Sequence, residues 1–141
     1  MAAQLIYIHG FNSSPQSFKA QQFSQWLAAN HPEITLAVPS LSPYPAQAMQ
    51  QLQALVASAP STLGLIGSSL GGFYATYLAE QHGCRACLLN PSVFPFNTLA
   101  QYLGENQNFH TLEKYDFTQA HVDELRAMFI EQISRPQDLL L

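Results

Sequence analysis

Short apolar runs alternate with longer amphipathic stretches along the chain. Leu5-Ile6-Tyr7-Ile8 is strand-length and rich in strand formers. From Pro15, the spacing of Phe18, Phe23, Trp26 and Leu27 predicts a helix with these side chains turned to the core, ending near Asn30-His31-Pro32. Ser14 reads as its N-cap and Pro15 as its first residue. Ile34–Val38 is a second strand. Pro39-Ser40-Leu41-Ser42-Pro43-Tyr44-Pro45 reads equally as the wall of a cleft or as a rigid connector. Residues 46–59 predict a helix with Met49, Leu52, Leu55 and Val56 inward, broken at Pro60-Ser61. Thr62–Ile66 suits a buried parallel strand, Gly72–Gly83 a helix with a glycine stop, and Arg85–Asn90 a fourth strand.

From Val93 to Asp116 the pattern loosens, with Phe94, Phe96, Tyr102, Phe109 and Tyr115 scattered among Asn, Gln and Gly. A cap or lid at about residues 92–117, with a short helix around Thr98–Leu103, is the functional reading; a plain insertion is the bland one. Thr118 opens a helix to about Ile133, with Val122, Leu125, Met128, Phe129 and Ile133 inward, stopped by Arg135-Pro136. Asp138–Leu141 opens a fifth strand. This alternation predicts an α/β fold, a three-layer sandwich around a mostly parallel sheet with right-handed crossovers. Residues 1–141 read as a single domain without repeats.

A chain of 141 residues can bury a core without staples. Its net charge of -4 leaves no nucleic-acid footprint. Charged residues are 10% of the chain, against roughly 25% in ordinary domains. Gln21, Gln22, Gln25, Gln47, Gln50, Gln51 and Gln53 carry much of the polar surface instead, and such a surface resists aggregation less well. The start lacks a basic region before its apolar run, and no run approaches a membrane span, so the cytoplasm is the expected compartment. Cys84 and Cys87 have C-x-x-C spacing but lead into a strand, with no second ligand pair for zinc. Two buried, reduced thiols are expected; a redox module is the least favoured functional reading. No metal or cofactor is expected.

Candidate chemistry centres on Gly67-Ser68-Ser69-Leu70-Gly71, which fits G-x-S-x-G between a predicted strand and a predicted helix. A nucleophile at such a turn is held in a strained conformation, and Gly67 and Gly71 relieve the crowding on either side of Ser69. The bland reading is a Gly/Ser-rich turn. A second candidate is His9-Gly10-Phe11-Asn12-Ser13-Ser14-Pro15, a strand end opening into a small-residue loop. Gly10 lets the backbone approach a substrate, and His9 is expected to shape the loop rather than to act as the base.

Those two segments, with Pro43-Tyr44-Pro45, Gly72-Phe73-Tyr74-Ala75-Thr76, Asn90-Pro91 and Tyr102-Leu103-Gly104, closely resemble the YqiA-like small esterases of the α/β-hydrolase superfamily over essentially the whole chain. The resemblance implies a cofactor-free serine esterase acting on small acyl esters or thioesters. It implies Ser69 as nucleophile and the backbone N–H groups of Phe11 and Leu70 as the oxyanion hole. The superfamily order is serine, acid, histidine. Family members continue beyond Leu141, through a Gly-Asp segment for the acid and an Asn-His segment for the base, and neither segment is in this sequence.

The chain is therefore expected to be a C-terminally truncated, partial α/β-hydrolase domain, inactive or weakly active. Of the histidines after Ser69, His82 should face the far side of the sheet and His121 the surface. His110, in the predicted lid, is the one candidate base, with Glu113 or Asp116 to orient it. A strand that stops as it begins leaves an exposed edge, through which the chain is expected to pair with a second copy. The alternative function is a non-catalytic hydrolase-like binding or interaction module that keeps the pocket.

Overall fold

The alternation of side chains along the apolar runs decides which helix lies on which face of the sheet. In the computed structural model, which describes residues 3–60 and 62–141, the strands are β1 (Gln4–Ile8), β2 (Thr35–Ala37), β3 (Leu63–Ser68), β4 (Arg85–Leu89), β5 (Gly104–Gln107), β6 (Lys114–Phe117) and β7 (Leu139–Leu140). Met1 and Ala2, and Ser61 of the predicted Pro60-Ser61 break, lie outside the described residues. One sheet has the order β2-β1-β3-β4-β7, parallel throughout; β5 and β6 form a separate antiparallel hairpin. The helices are α1 (Phe18–Asn30), α2 (Pro45–Ser58), α3 (Leu70–His82), the single turn α4 (Pro95–Thr98) and α5 (Gln119–Ala127).

Ile6, Ile8, Leu65, Ala86 and Leu88 point to one face. There they meet Ala48, Met49 and Leu52 of α2, Phe73, Tyr74 and Leu78 of α3, and Val122 and Leu125 of α5. Tyr7 and Ile66 point to the other face, with Leu5, Leu36, Cys87 and Leu89, against Ala20 and Phe23 of α1. This is the expected three-layer α/β sandwich with a mostly parallel sheet, with the larger core on the α2–α3–α5 side.

Several local expectations are corrected. Helix α1 starts at Phe18, not Pro15, because Ser17 is the cap: its hydroxyl accepts from the Ala20 N–H at 3.4 Å. Ser14 instead accepts from the Gln16 N–H in the turn before it. The inward stripe is Ala20, Phe23 and Leu27, and a helical period puts Phe18 on the opposite side; Phe18 is 78% exposed and Trp26 52%. Helix α5 ends at Ala127, six residues earlier than predicted. Beyond it Phe129 turns onto the rings of Phe94 and Phe96, at 5.6 and 5.4 Å, and Ile133 is left exposed. The predicted helix around Thr98–Leu103 is α4 followed by a 3-10 turn at Leu99–Tyr102, and the β5–β6 hairpin after it was not foreseen. Cys84 and Cys87 are free and half-buried rather than buried, and burial pushes the Cys84 thiol pKa up.

Strand β7 pairs with β4 through Ala86–Leu139 and Cys87–Leu140, leaving Leu140 and Leu141 exposed. No described helix is long and apolar enough to cross a membrane.

Leu52, fully buried, should cost about 2–5 kcal/mol when cut to alanine. Phe18→Ser, on the exposed side of α1, should stay within about 0.5 kcal/mol of wild type. Urea unfolding of both variants measures the contrast; an equal loss would restore Phe18 to the core.

Candidate active site

Parallel register brings the candidate residues together. Ile8 lies opposite Gly67 and Ser68 opposite Leu89, so the segments leaving the carboxyl ends of β1, β3 and β4 emerge side by side. Ligands of open α/β sheets bind at this end. Ser69 sits where β3 turns into α3, at φ 55° and ψ -116°, a backbone conformation few non-glycine residues adopt. Its neighbours hold it there. The Ser69 N–H donates to the Leu89 carbonyl at 3.0 Å, and the Ser69 carbonyl accepts from the Gly72 and Ser92 N–H groups at 2.9 Å each. The glycines are steric requirements: a methyl on Gly67 would overlap the Gly71 backbone, and one on Gly71 would overlap the Ile8 carbonyl. Ser69 is exposed, whereas Leu70 beside it is buried. The Leu70 N–H opens α3 and belongs to the helix's unsatisfied first-turn donors.

The loop after β1 lies against this turn. A methyl on Gly10 would stand 3.4 Å from Ser69 Cβ, so glycine keeps that space open. The Phe11 N–H follows directly and has no protein acceptor among the described residues. His9 is buried and committed at both ring nitrogens. Nδ1 donates to the Gly10 carbonyl at 2.9 Å, and Nε2 accepts from the Leu41 N–H at 3.0 Å. That arrangement needs the neutral ring; burial lowers its pKa below 6.5, with the nearby His110 adding to the shift. The Pro39–Pro45 segment thus meets this loop through Leu41, which holds His9.

The sequence places Asn12 in the candidate loop and Tyr115 among the aromatic residues of the cap segment, but assigns neither of them, nor Asn108, a role in the site. Asn12 is buried at φ 56°, and its side-chain oxygen accepts from the Tyr115 hydroxyl. Burial pushes the Tyr115 phenol up to about 12, so it stays a donor at neutral pH. The usable signal was the alternation in Lys114-Tyr115-Asp116-Phe117, where the two aromatic residues are buried and the two charged ones exposed.

An open cleft of about 550 Å³ contains Ser69, with Tyr7, Phe11, Phe18, Tyr102 and Phe109 on its walls and Lys19 as its charged residue. His9 is the histidine on that wall. His110 is exposed on the hairpin turn, its N–H donating to Asn108 Oδ1 at 2.8 Å. His82 lies at the far end of α3, bonded to Gln53 Oε1 at 2.6 Å. His121 is half-buried at the start of α5 and away from the cleft; its Nδ1 accepts from the Thr118 N–H at 2.9 Å and its ring stacks on Tyr44 at 4.4 Å. No cluster of three potential metal ligands exists among the described residues.

The neutral His9 gives a pH signature. A pKa lowered by folding means stability is complete above about pH 6.5 and falls as pH drops from there through the folded value. Urea midpoints between pH 7.5 and 5 should decline in wild type. The decline should be shallower in His9→Gln, whose amide oxygen can still accept from Leu41; parallel curves would refute the assignment.

Alpha/beta hydrolase domain-containing protein 10 from mouse superposes with a TM-score of 0.70 at 14% identity, over 92% of this chain and 63% of that one. The ydeN gene product from B. subtilis gives 0.63 at 13% identity, over 97% and 67%. A structure from a study of LipS and LipT, two metagenome-derived lipolytic enzymes, gives 0.57 at 17% identity, over 90% and 65%. The chain therefore spans about two thirds of the length of these proteins, and the likeness shows the α/β-hydrolase fold. The family model described as Uncharacterised protein family (UPF0227) matches residues 4–141, which bears out the family resemblance of the motifs: the chain belongs to the UPF0227 family.

Proposed function

We propose that the protein is a serine hydrolase of small acyl esters or thioesters, with Ser69 as its nucleophile. The observation that carries this reading is the strained backbone of Ser69, held on the turn between β3 and α3 beside two uncommitted N–H groups. In this reading Ser69 Oγ attacks the ester carbonyl carbon and gives its proton to a base. The Phe11 and Leu70 amides receive the negative charge on the carbonyl oxygen, at the positive end of α3. The alcohol or thiol leaves with a proton, and water then frees the acyl group from Ser69. Residues 92–117 act as a cap, and the aromatic walls of the cleft favour an apolar acyl group over a charged one. The lipolytic description of one structural relative supports the ester class.

In this reading His9 is not the base. His9 has both nitrogens engaged and needs to remain neutral, and the other described histidines do not line the cleft. The commitment of His9 is the observation behind a second reading, a hydrolase-like binding module that keeps the cleft. An unactivated serine is a poor nucleophile, and an oxyanion pocket with binding alone gives roughly a thousandfold acceleration or more over water.

Labelling by a fluorophosphonate should therefore be slow, should speed up when imidazole is added as an external base, and should vanish in Ser69→Ala. Mass spectrometry locates the adduct. A wild type inert even with imidazole would leave the binding-module reading, and labelling that survives in Ser69→Ala would remove Ser69 as the nucleophile.

A further inference from the structure

The loop after β1 is tied to a hairpin about a hundred residues further along the chain. The Phe109 N–H donates to the Asn12 carbonyl at 3.0 Å, Asn108 Nδ2 donates to the Ser13 carbonyl at 2.8 Å, and the Tyr115 hydroxyl donates to Asn12 Oδ1. The Phe11 ring rests on the same element, meeting Phe117 at 5.2 Å and Tyr115 at 6.4 Å, and on Tyr102 of the preceding 3-10 turn at 5.7 Å. Asn12 at φ 56° is a conformation that persists only where the surroundings enforce it. These contacts bracket the peptide that carries the Phe11 N–H, with the Ser69 turn on its other side. Within the loop itself, the Gly10 carbonyl of that peptide accepts from the Ser13 N–H at 3.2 Å and from His9 Nδ1 at 2.9 Å, and the hairpin contacts hold the residues on its other side, Phe11, Asn12 and Ser13.

We propose that Tyr115 and Asn108 are positioning residues that hold the Phe11 amide toward Ser69, so that the β5–β6 hairpin completes the oxyanion pocket. This rests on the hydrolase reading of Ser69. Neither residue touches the reacting atoms; both act through Asn12 and Ser13. Losing an oxyanion donor outright costs about a hundredfold to a thousandfold in rate, and a donor left in place but loosely aimed should cost about tenfold.

Two conservative variants separate aim from folding. Tyr115→Phe keeps the ring against Phe11 and Tyr44 and removes only the hydroxyl. Asn108→Asp keeps Oδ1 as acceptor for the His110 and Thr111 N–H groups and replaces the donor to Ser13 with a carboxylate oxygen that repels its carbonyl. Each is titrated as nitrogen-15-labelled protein with butylboronic acid, which forms a tetrahedral adduct on a serine oxygen, and with butyramide, which stays planar. In both variants, the Phe11 and Asn12 amide resonances should double or broaden while those of residues 70–82 stay in place. Boronate affinity should fall about tenfold and butyramide affinity should not change. Unchanged Phe11 and Asn12 resonances overturn the proposal, as does equal weakening of both ligands. A wild type that takes no boronate on Ser69 removes the hydrolase reading, and the two resonances still decide whether the hairpin aims the loop.

Discussion

The structure depends on one unfavourable backbone conformation. Ser69 is forced to a positive φ between a strand and a helix, at a cost of about 1–3 kcal/mol. Three backbone hydrogen bonds converge on its own amide and carbonyl, each contributing about 0.5–1.5 kcal/mol, which is enough to offset the strain. Their partners come from the end of β4, the segment after it, and the first turn of α3. The order of the sheet, β1 and β4 on either side of β3, is thus what makes the conformation tenable.

The same close quarters explain why glycine flanks the serine. Gly67 and Gly71 stand where the turn, the β1 backbone and α3 are in direct contact, and any side chain would push these layers apart. Pro91 presses in the same way on Gly72, its Cβ 2.7 Å from where a methyl would be. What looks in the sequence like a motif for chemistry is equally the closest approach of three structural elements.

Periodicity made the central sheet and its larger core legible. Met49, Leu52, Val122 and Leu125 point inward as their spacing requires, because a long buried stripe leaves little choice of face. In helix α1 the large apolar residues do not all share a side, so hydrophobicity alone points to the wrong face. Ala20, a poor hydrophobic signal, lets the helix approach, while Phe18 and Trp26 stay outside. Ser69 and its glycines were legible because the strand-turn-helix context is local. The hairpin and Asn12 were not: β5 reads Gly104-Glu105-Asn106-Gln107, without apolar alternation, and it forms by pairing with β6. The commitment of His9 depends on Leu41, 32 residues away, which no local pattern encodes.

The distance between Asn12 and Tyr115 along the chain, 103 residues, has a consequence for how the protein is made. Contacts that close large loops form late, because chain entropy must be lost before they repay it. The turn around Ser69 can be assembled once residue 92 is available, since its partners span only Ser69 to Ser92. The loop beside it must wait for the hairpin. At about 5–20 residues per second of synthesis, Asn12 spends roughly 5–20 seconds without its partner after it emerges. A nascent chain therefore carries an ordered serine turn before it carries an ordered pocket, and the strained Asn12 backbone is the last piece of that corner to settle.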